Sequence, residues 1–401
     1  MNSGHSPRFA RLVRESVFLQ AAFVFVVALA LLVRLGRGFG PYWDSWNFFF
    51  PTEKFSLWIS SWWDGNPAPP ITEWRHYFPE EPRHPPLMEW GAALCHALFK
   101  RELGDLGSCR LFISIFAALW CAAMYLFTAP RVGKGAALLG LALLAGSPRF
   151  WVDAVILNID GLMAATYGLA LLAFLKWDKG APGKLLVFGA LVLALLTKLQ
   201  GLFLIPILFA WAASRGVGAG PRIRQAGMAC SVAIAALAGV FLIWPAMWID
   251  FPSDLLRYLR FITRHSNVPV LYFGTLYKGD SVPPWHYPWV FTAIALPLAF
   301  WVPSLVRGIR ILVGRGFRPG NFQGADEALL WVGMLFPLLV SSMPQAPKYD
   351  GVRLLLPAYA PMAILSTLEV AAWWKAIEAR GLQRISSGLR KALPATVGLL
   401  L

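Results

Sequence analysis

The chain has 401 residues, 57% of them hydrophobic and only 14% charged, with a net charge of +15 and a mean hydropathy of +0.57. Soluble domains are about half apolar and about a quarter charged, so this chain lacks the polar surface a soluble globule needs and the bilayer is the better solvent. A basic balance can signal nucleic acid, but the placement of the cations beside membrane spans accounts for it, and no nucleic-acid partner is expected.

In chain order, Arg8, Arg11 and Arg14 precede an apolar run over 17–34. A secretory signal peptide carries a shorter apolar core and a small-residue cleavage site. Here the run ends in Arg34-Leu35-Gly36-Arg37, which predicts a retained first span with its N-terminus in the cytoplasm. Further apolar runs lie near 110–129, 135–148, 160–177, 183–197, 199–214, 226–247, 287–306, 327–343 and 354–374. The run 86–99 is short and contains Glu89 and His96. With 86–99 kept out of the bilayer, the cytoplasmic segments are 1–16, 130–134, 176–184, 215–225, 307–327 and 369–391. They hold 20 Lys/Arg against 6 Asp/Glu, and the outer side holds 16 against 15. If 86–99 crossed, every later basic loop would face the wrong side. The run is therefore read as an amphipathic or re-entrant helix on the outer surface.

The expected fold is an all-α polytopic membrane protein of about 10–11 transmembrane helices, forming one domain over 1–401. Its two long outer loops are 35–109, with interfacial helices, and 248–286; loops of that length are usually functional. The run 392–401 is too short to cross as a helix, so either the last helix is incomplete or the natural chain continues. Trp43, Trp46, Trp58, Trp62, Trp63 and Trp74 suit an aromatic belt at headgroup level. Cys95, Cys109, Cys121 and Cys230 show no metal spacing and read as inert thiols, with a Cys95–Cys109 disulfide left open.

Charged residues that interrupt this pattern cluster on the outer side. Asp44, in Tyr42-Trp43-Asp44-Ser45-Trp46, is either a solvated loop acid or a partly dehydrated carboxylate of raised basicity. His84-Pro85-Pro86-Leu87 opens the interfacial helix, and paired prolines fix the backbone that carries the imidazole. That ring suits a metal or a phosphate. Asp160, in Asn158-Ile159-Asp160-Gly161, either caps its helix or serves a site at the membrane lip. Lys198, in Thr197-Lys198-Leu199-Gln200, either snorkels or presents a cation to an anionic headgroup. Lys348 and Arg353, in Pro347-Lys348-Tyr349-Asp350-Gly351-Val352-Arg353, join Arg257, Arg260, Arg264 and His265 of the second loop as a set suited to phosphate. Trp285-His286-Tyr287 closes that loop in a stiff aromatic strip. No Walker loop, dinucleotide-binding glycine pattern or zinc-protease His pair is present.

Taken together and in this order, the residues resemble the GT-C superfamily of membrane glycosyltransferases, near the dolichyl-phosphate-mannose–protein mannosyltransferases and the bacterial lipid A aminoarabinose transferase. The resemblance rests on Asp44, the His-Pro-Pro-Leu from His84, the Asp-Gly-Leu from Asp160, Lys198 and the late Lys-x4-Arg of Lys348 and Arg353, with Tyr272-Phe273-Gly274 and Trp285-His286-Tyr287 in the second loop. It implies inverting transfer of one sugar from a polyprenyl-phosphate carrier to a protein, lipid or glycan acceptor on the outer (periplasmic) face of a bacterial inner membrane. Carried over, Asp44 is the catalytic base, and His84, Asp160, His286 and Tyr287 line the pocket. Lys198, Arg264, His265, Lys348 and Arg353 neutralise the carrier phosphate. The one cofactor the resemblance allows is a divalent metal at Asp160 and His84. Relatives often carry an acid where this chain has Ser45 and another where it has Arg83, and both departures count against that metal. Two other functions share these features: a flippase for the carrier-linked sugar, and a non-catalytic subunit of a glycan assembly complex. A flippase would need polar residues through its span centres.

Overall fold

A computed structural model describes residues 7–42, 45–63, 84–216, 218–263, 268–279, 281–313 and 322–379. The first long loop carries α2 (Ser45–Trp63), after α1 (Pro7–Gly36). Next comes α3 (Leu87–Val132), 46 residues long. A straight helix of that length would measure about 69 Å, more than twice the hydrocarbon thickness. It is broken at Gly104, whose φ of 72° is left-handed and natural only for glycine. The piece before the break covers the run 86–99, and the piece after it covers the run 110–129.

Prolines explain where the structure departs from the expected spans. The run 135–148 becomes α4 (Lys134–Ala145) and α5 (Pro148–Val155), set at 76° to each other. Ser147 is extended ahead of Pro148, as a residue before proline tends to be. The run 287–306 is likewise two helices, α11 (Tyr287–Ala295) and α12 (Leu298–Val313). Leu296 sits at φ −107° and ψ 140° before Pro297, so one continuous helix there is corrected to two. Between these lie α6 (Ile159–Phe174), α7 (Gly180–Leu195), α8 (Leu204–Ser214), α9 (Ala219–Ile243) and α10 (Phe251–Thr263). The last described helices are α13 (Phe322–Ser341) and α14 (Leu356–Ala379).

Among the described residues, five helical stretches are long and apolar enough to cross a membrane, and the bent α4–α5 pair makes a sixth. Ile159–Phe174, Gly180–Leu195 and Leu199–Ser214 are shorter apolar helices; at about 1.5 Å per residue, short helices fit a bilayer when packed inside a bundle. α14 is the central post, 94% buried along its most apolar stretch. α1 and α9 lie at the periphery, with Phe18, Leu19, Phe23, Ile234 and Leu242 outward. The protein is an integral membrane protein.

Small residues let α14 come close to its neighbours, as is usual between membrane helices. A Cβ on Gly168 of α6 would stand 2.6 Å from Trp120 and 2.8 Å from Ala360. Gly168→Leu is therefore expected to overpack this contact and destabilise the protein by about 1–3 kcal/mol. Thermal unfolding in detergent checks it; an unchanged melting curve would show that the contact among Gly168, Trp120 and Ala360 is not tightly packed.

The second long loop, 248–286, holds strands as well as a helix. It holds an antiparallel hairpin, β1 (Val270–Tyr272) and β2 (Thr275–Tyr277), with Leu271 opposite Leu276. Phe273 and Gly274 at its tip both have positive φ, which matches the right-handed twist of a two-residue hairpin. Trp58 is 7% exposed and packs against Trp90 and Phe55, so it belongs to an internal cluster and not to a headgroup belt. Trp43, Trp74 and the run 392–401 lie outside the described residues. All four cysteines are free, three of them buried. Glu369, counted from the sequence among cytoplasmic charges, is fully buried and binds Arg307 and Arg310. With Glu327 on Arg307, it ties together the ends of α12, α13 and α14.

Candidate functional site: a ladder of charges

The start of α6 sets the site. Asn158 is the helix cap: its side-chain oxygen accepts from the backbone N–H groups of Asp160 and Gly161, at 3.0 and 3.3 Å. Of the two readings of Asp160, capping is thereby ruled out. Its carboxylate is available for other partners although the residue is 1% exposed. Gly161 has no room for a side chain, because a Cβ would strike the backbone carbonyl of Asp153; that close approach explains the Asp-Gly pair.

Asp160 bridges two cations distant in sequence. The Lys198 ammonium donates to its Oδ1 at 2.7 Å, and the Arg353 guanidinium Nε donates to its Oδ2. Lys198 is held in extended backbone between α7 and the short 3-10 turn Leu199–Phe203. Gln200 in that turn donates to the carbonyl of Leu354 at 2.7 Å, which fastens the Lys198 hairpin to the turn carrying Arg353. A buried ion pair gains little net stability, but removing one partner strands a charge away from water.

The ladder continues through residues that were not singled out from the sequence. Arg353 Nη1 lies 3.5 Å from Asp350 Oδ2, and Arg149 Nη2 lies 3.9 Å from the same oxygen. Arg149 Nε is 2.6 Å from Asp153, whose other oxygen accepts from Asn158 at 2.7 Å. Tyr42, at the end of the first-loop stretch before Asp44, donates from its hydroxyl to Asp350 at 3.4 Å. Lysine, aspartate and arginine thus alternate along the rim: Lys198, Asp160, Arg353, Asp350, Arg149, Asp153. The readable signal was Arg149 and Asp153 four residues apart behind Pro148, a helical ion pair in otherwise apolar sequence.

The other expected site residues fall in three groups. His84 lies near the ladder through its backbone neighbourhood: Leu87 N donates to the carbonyl of Leu196 at 3.0 Å, two residues before Lys198. Its ring stacks on Phe48 and meets Phe261 edge-on. Tyr287 accepts from Gly351 N at 3.1 Å, and His286 Nδ1 shares a hydrogen bond with the Tyr272 hydroxyl at 2.7 Å. Tyr287 therefore ties the start of α11 to the turn that carries Asp350, and His286 braces the loop before it internally. Lys348 is elsewhere. It donates to the carbonyls of Met343 and Ala346 at 2.6 and 3.3 Å, and burial holds its ammonium below the usual lysine range. Arg257 pairs with Asp254 of its own helix at 2.9 Å. Asp44, Arg264 and His265 lie outside the described residues.

A metal at Asp160 and His84 does not fit this geometry. Both carboxylate oxygens of Asp160 are engaged by cations, and the His84 ring lies against Phe48 and Phe261. Among the described residues no three His, Cys, Asp or Glu side chains gather as a ligand set. Asp160 acts here as the anchor of two cations.

Comparison with known proteins agrees with the architecture. Residues 83–244 match the family described as dolichyl-phosphate-mannose-protein mannosyltransferase, a stretch that contains His84, Arg149, Asp153, Asp160 and Lys198 but not the Asp350–Arg353 turn. The crystal structure of ArnT from Cupriavidus metallidurans in the apo state superposes with a TM-score of 0.57 at 15% identity, covering 89% of this chain and 62% of that one. The same protein bound to undecaprenyl phosphate gives a TM-score of 0.57 at 14% identity, covering 90% and 62%. This chain therefore spans less than two thirds of the length of ArnT. A search of curated proteins finds no match. Residues 83–244 thus resemble that family, and most of the chain shares the fold of ArnT.

Proposed function

We propose that the protein is an inverting glycosyltransferase that moves one sugar from a polyprenyl-phosphate carrier to an acceptor at the outer face of a bacterial plasma membrane. The observation that carries this reading is Asp160 holding Lys198 and Arg353 together, from 38 and 193 residues away along the chain. Two cations fixed at the lip of a membrane bundle suit a lipid whose phosphate sits at headgroup depth.

The chemistry follows from charge. When the bond from the sugar's anomeric carbon to the carrier phosphate breaks, negative charge develops on the phosphate oxygens. Lys198 and Arg353, already fixed by Asp160, stabilise that charge without reorganising. An acceptor hydroxyl attacking from the opposite face gives up its proton to a base. Asp44 is proposed for that role, between Tyr42, which touches the ladder at Asp350, and Ser45, which starts α2. Ser45 is buried and its hydroxyl accepts from Tyr42 N at 3.1 Å. The chain supplies binding, orientation and proton transfer, and no step is routed through a metal. The similarity of the fold to ArnT, solved with undecaprenyl phosphate, supports a carrier of this class.

The purified protein in liposomes with a radiolabelled polyprenyl-phosphate sugar tests the reading. The expected result is release of free polyprenyl phosphate with label transferred to a co-supplied envelope extract. Movement of label across the bilayer with the sugar–phosphate bond intact would replace this reading with transport.

A further inference from the structure

One acid of the ladder is held unlike the others. Arg149 to Asp153 and Lys198 to Asp160 are close contacts of 2.6 and 2.7 Å. Asp350 instead offers a single oxygen, Oδ2, to three donors on three separate segments. Tyr42 lies at 3.4 Å, Arg353 at 3.5 Å and Arg149 at 3.9 Å, all beyond the roughly 2.7–2.9 Å of a charge-assisted hydrogen bond. All three donors stand back from the oxygen they share, farther than a direct charge-assisted bond would hold them. Asp350 is also the accessible member: its side chain is 34% exposed, against 1% for Asp153 and Asp160. It stands on a turn whose two residues, Asp350 and Gly351, have φ of 53° and 63°. If its carboxylate swings out, Arg149 keeps Asp153 and Arg353 keeps Asp160, so neither guanidinium is stranded.

We propose that Arg149, Arg353 and Tyr42 form a phosphate-ester subsite, and that Asp350 is a built-in anion occupying it until a phosphate displaces it. The proposal rests on the glycosyltransferase reading and adds a third cation, Arg149, with a placeholder that the ligand must replace. Phosphate suits these donors: it is larger than a carboxylate, carries at least as much charge, and has enough oxygens to meet two guanidiniums and a phenol at once. The occupant competes at the two arginines while no phosphate is bound and sets a threshold that a weakly held anion does not pass.

The test measures binding of two probes, inorganic phosphate and a short-chain polyprenyl monophosphate, to the full chain in detergent. Asp350→Asn keeps the left-handed turn, which asparagine tolerates well, and removes the competing charge. It is expected to tighten polyprenyl phosphate about tenfold, and Arg149→Gln to weaken it about tenfold, the scale of one charge-assisted contact. The Arg149→Gln loss is expected to be larger in the Asp350→Asn background, where no carboxylate masks the arginine. A tenfold response for inorganic phosphate alone supports the anion site but rejects the lipid carrier as its ligand. Polyprenyl phosphate binding that weakens with Lys198→Met yet ignores both Asp350→Asn and Arg149→Gln overturns the subsite and leaves the glycosyltransferase reading standing. Absence of binding by wild type and Asp350→Asn alike overturns both. Melting curves of each variant confirm that a folded protein is being compared.

Discussion

Replacing Asp160 by Ala is expected to destabilise the protein by about 3–5 kcal/mol, the scale on which removing one partner strands a buried charge. The side chains of Lys198 and Arg353 are 12% and 9% exposed, and both donate to this one carboxylate. Without it two cations face each other at the lip of an apolar bundle, with little water to screen them. Three elements then loosen together: the start of α6, the Lys198 hairpin and the Arg353 turn. Thermal unfolding followed by tryptophan fluorescence in detergent reads the loss. A double-mutant cycle with Lys198→Met sharpens the test, because removing one cation relieves part of the repulsion and the second substitution should cost less than it does alone. An Asp160→Ala protein that melts like wild type would show that water or lipid already solvates these cations, and the ladder would lose its standing as a preformed site.

The sequence alone showed those parts of the site where a charge interrupts an apolar run. Lys198 sits between two such runs and Asp160 opens a third, and a charge in such a place is costly enough to mark itself. Counting short basic loops then put both, with Arg353, on one side of the membrane. Nothing in that count could reveal backbone direction. The 76° bend at Ser147-Pro148 carries Arg149 and Asp153 under the ladder, whereas a straight span over 135–148 leaves them in a nondescript loop. In the turn 347–353 the spacing offers three charges, Lys348, Asp350 and Arg353, and gives no way to choose among them. The left-handed φ at Asp350 and Gly351 and the capture of Lys348 by carbonyls of the preceding turn make that choice. Pro297 is visible in the sequence, yet whether a proline kinks a helix or ends it depends on what neighbouring helices offer the freed backbone groups. The hairpin at 270–277 has too few residues for any periodicity to register.

Asp44→Asn is expected to lower the turnover of sugar transfer by about 10²–10⁴-fold, the usual contribution of a general base, while leaving carrier binding unchanged. The reasoning separates the two sides of the reaction. Lys198 and Arg353 act on the leaving phosphate, so Lys198→Met is expected to weaken carrier binding and to slow transfer together, by about 10²–10³-fold in rate. A base on the acceptor side touches neither the phosphate nor the ground-state lipid. Its loss should therefore appear in kcat and not in the affinity for polyprenyl phosphate. Asparagine is isosteric with aspartate, so the substitution adds no bulk, and an unchanged melting curve accompanies the expected loss. The pair of variants decides more than either alone. If Asp44→Asn transfers sugar normally while Lys198→Met does not, the cation ladder stands and the proton goes elsewhere. If Asp44→Asn weakens carrier binding as much as Lys198→Met does, the first-loop carboxylate belongs to the architecture of the phosphate site, and the acceptor side of the pocket must be sought at other residues.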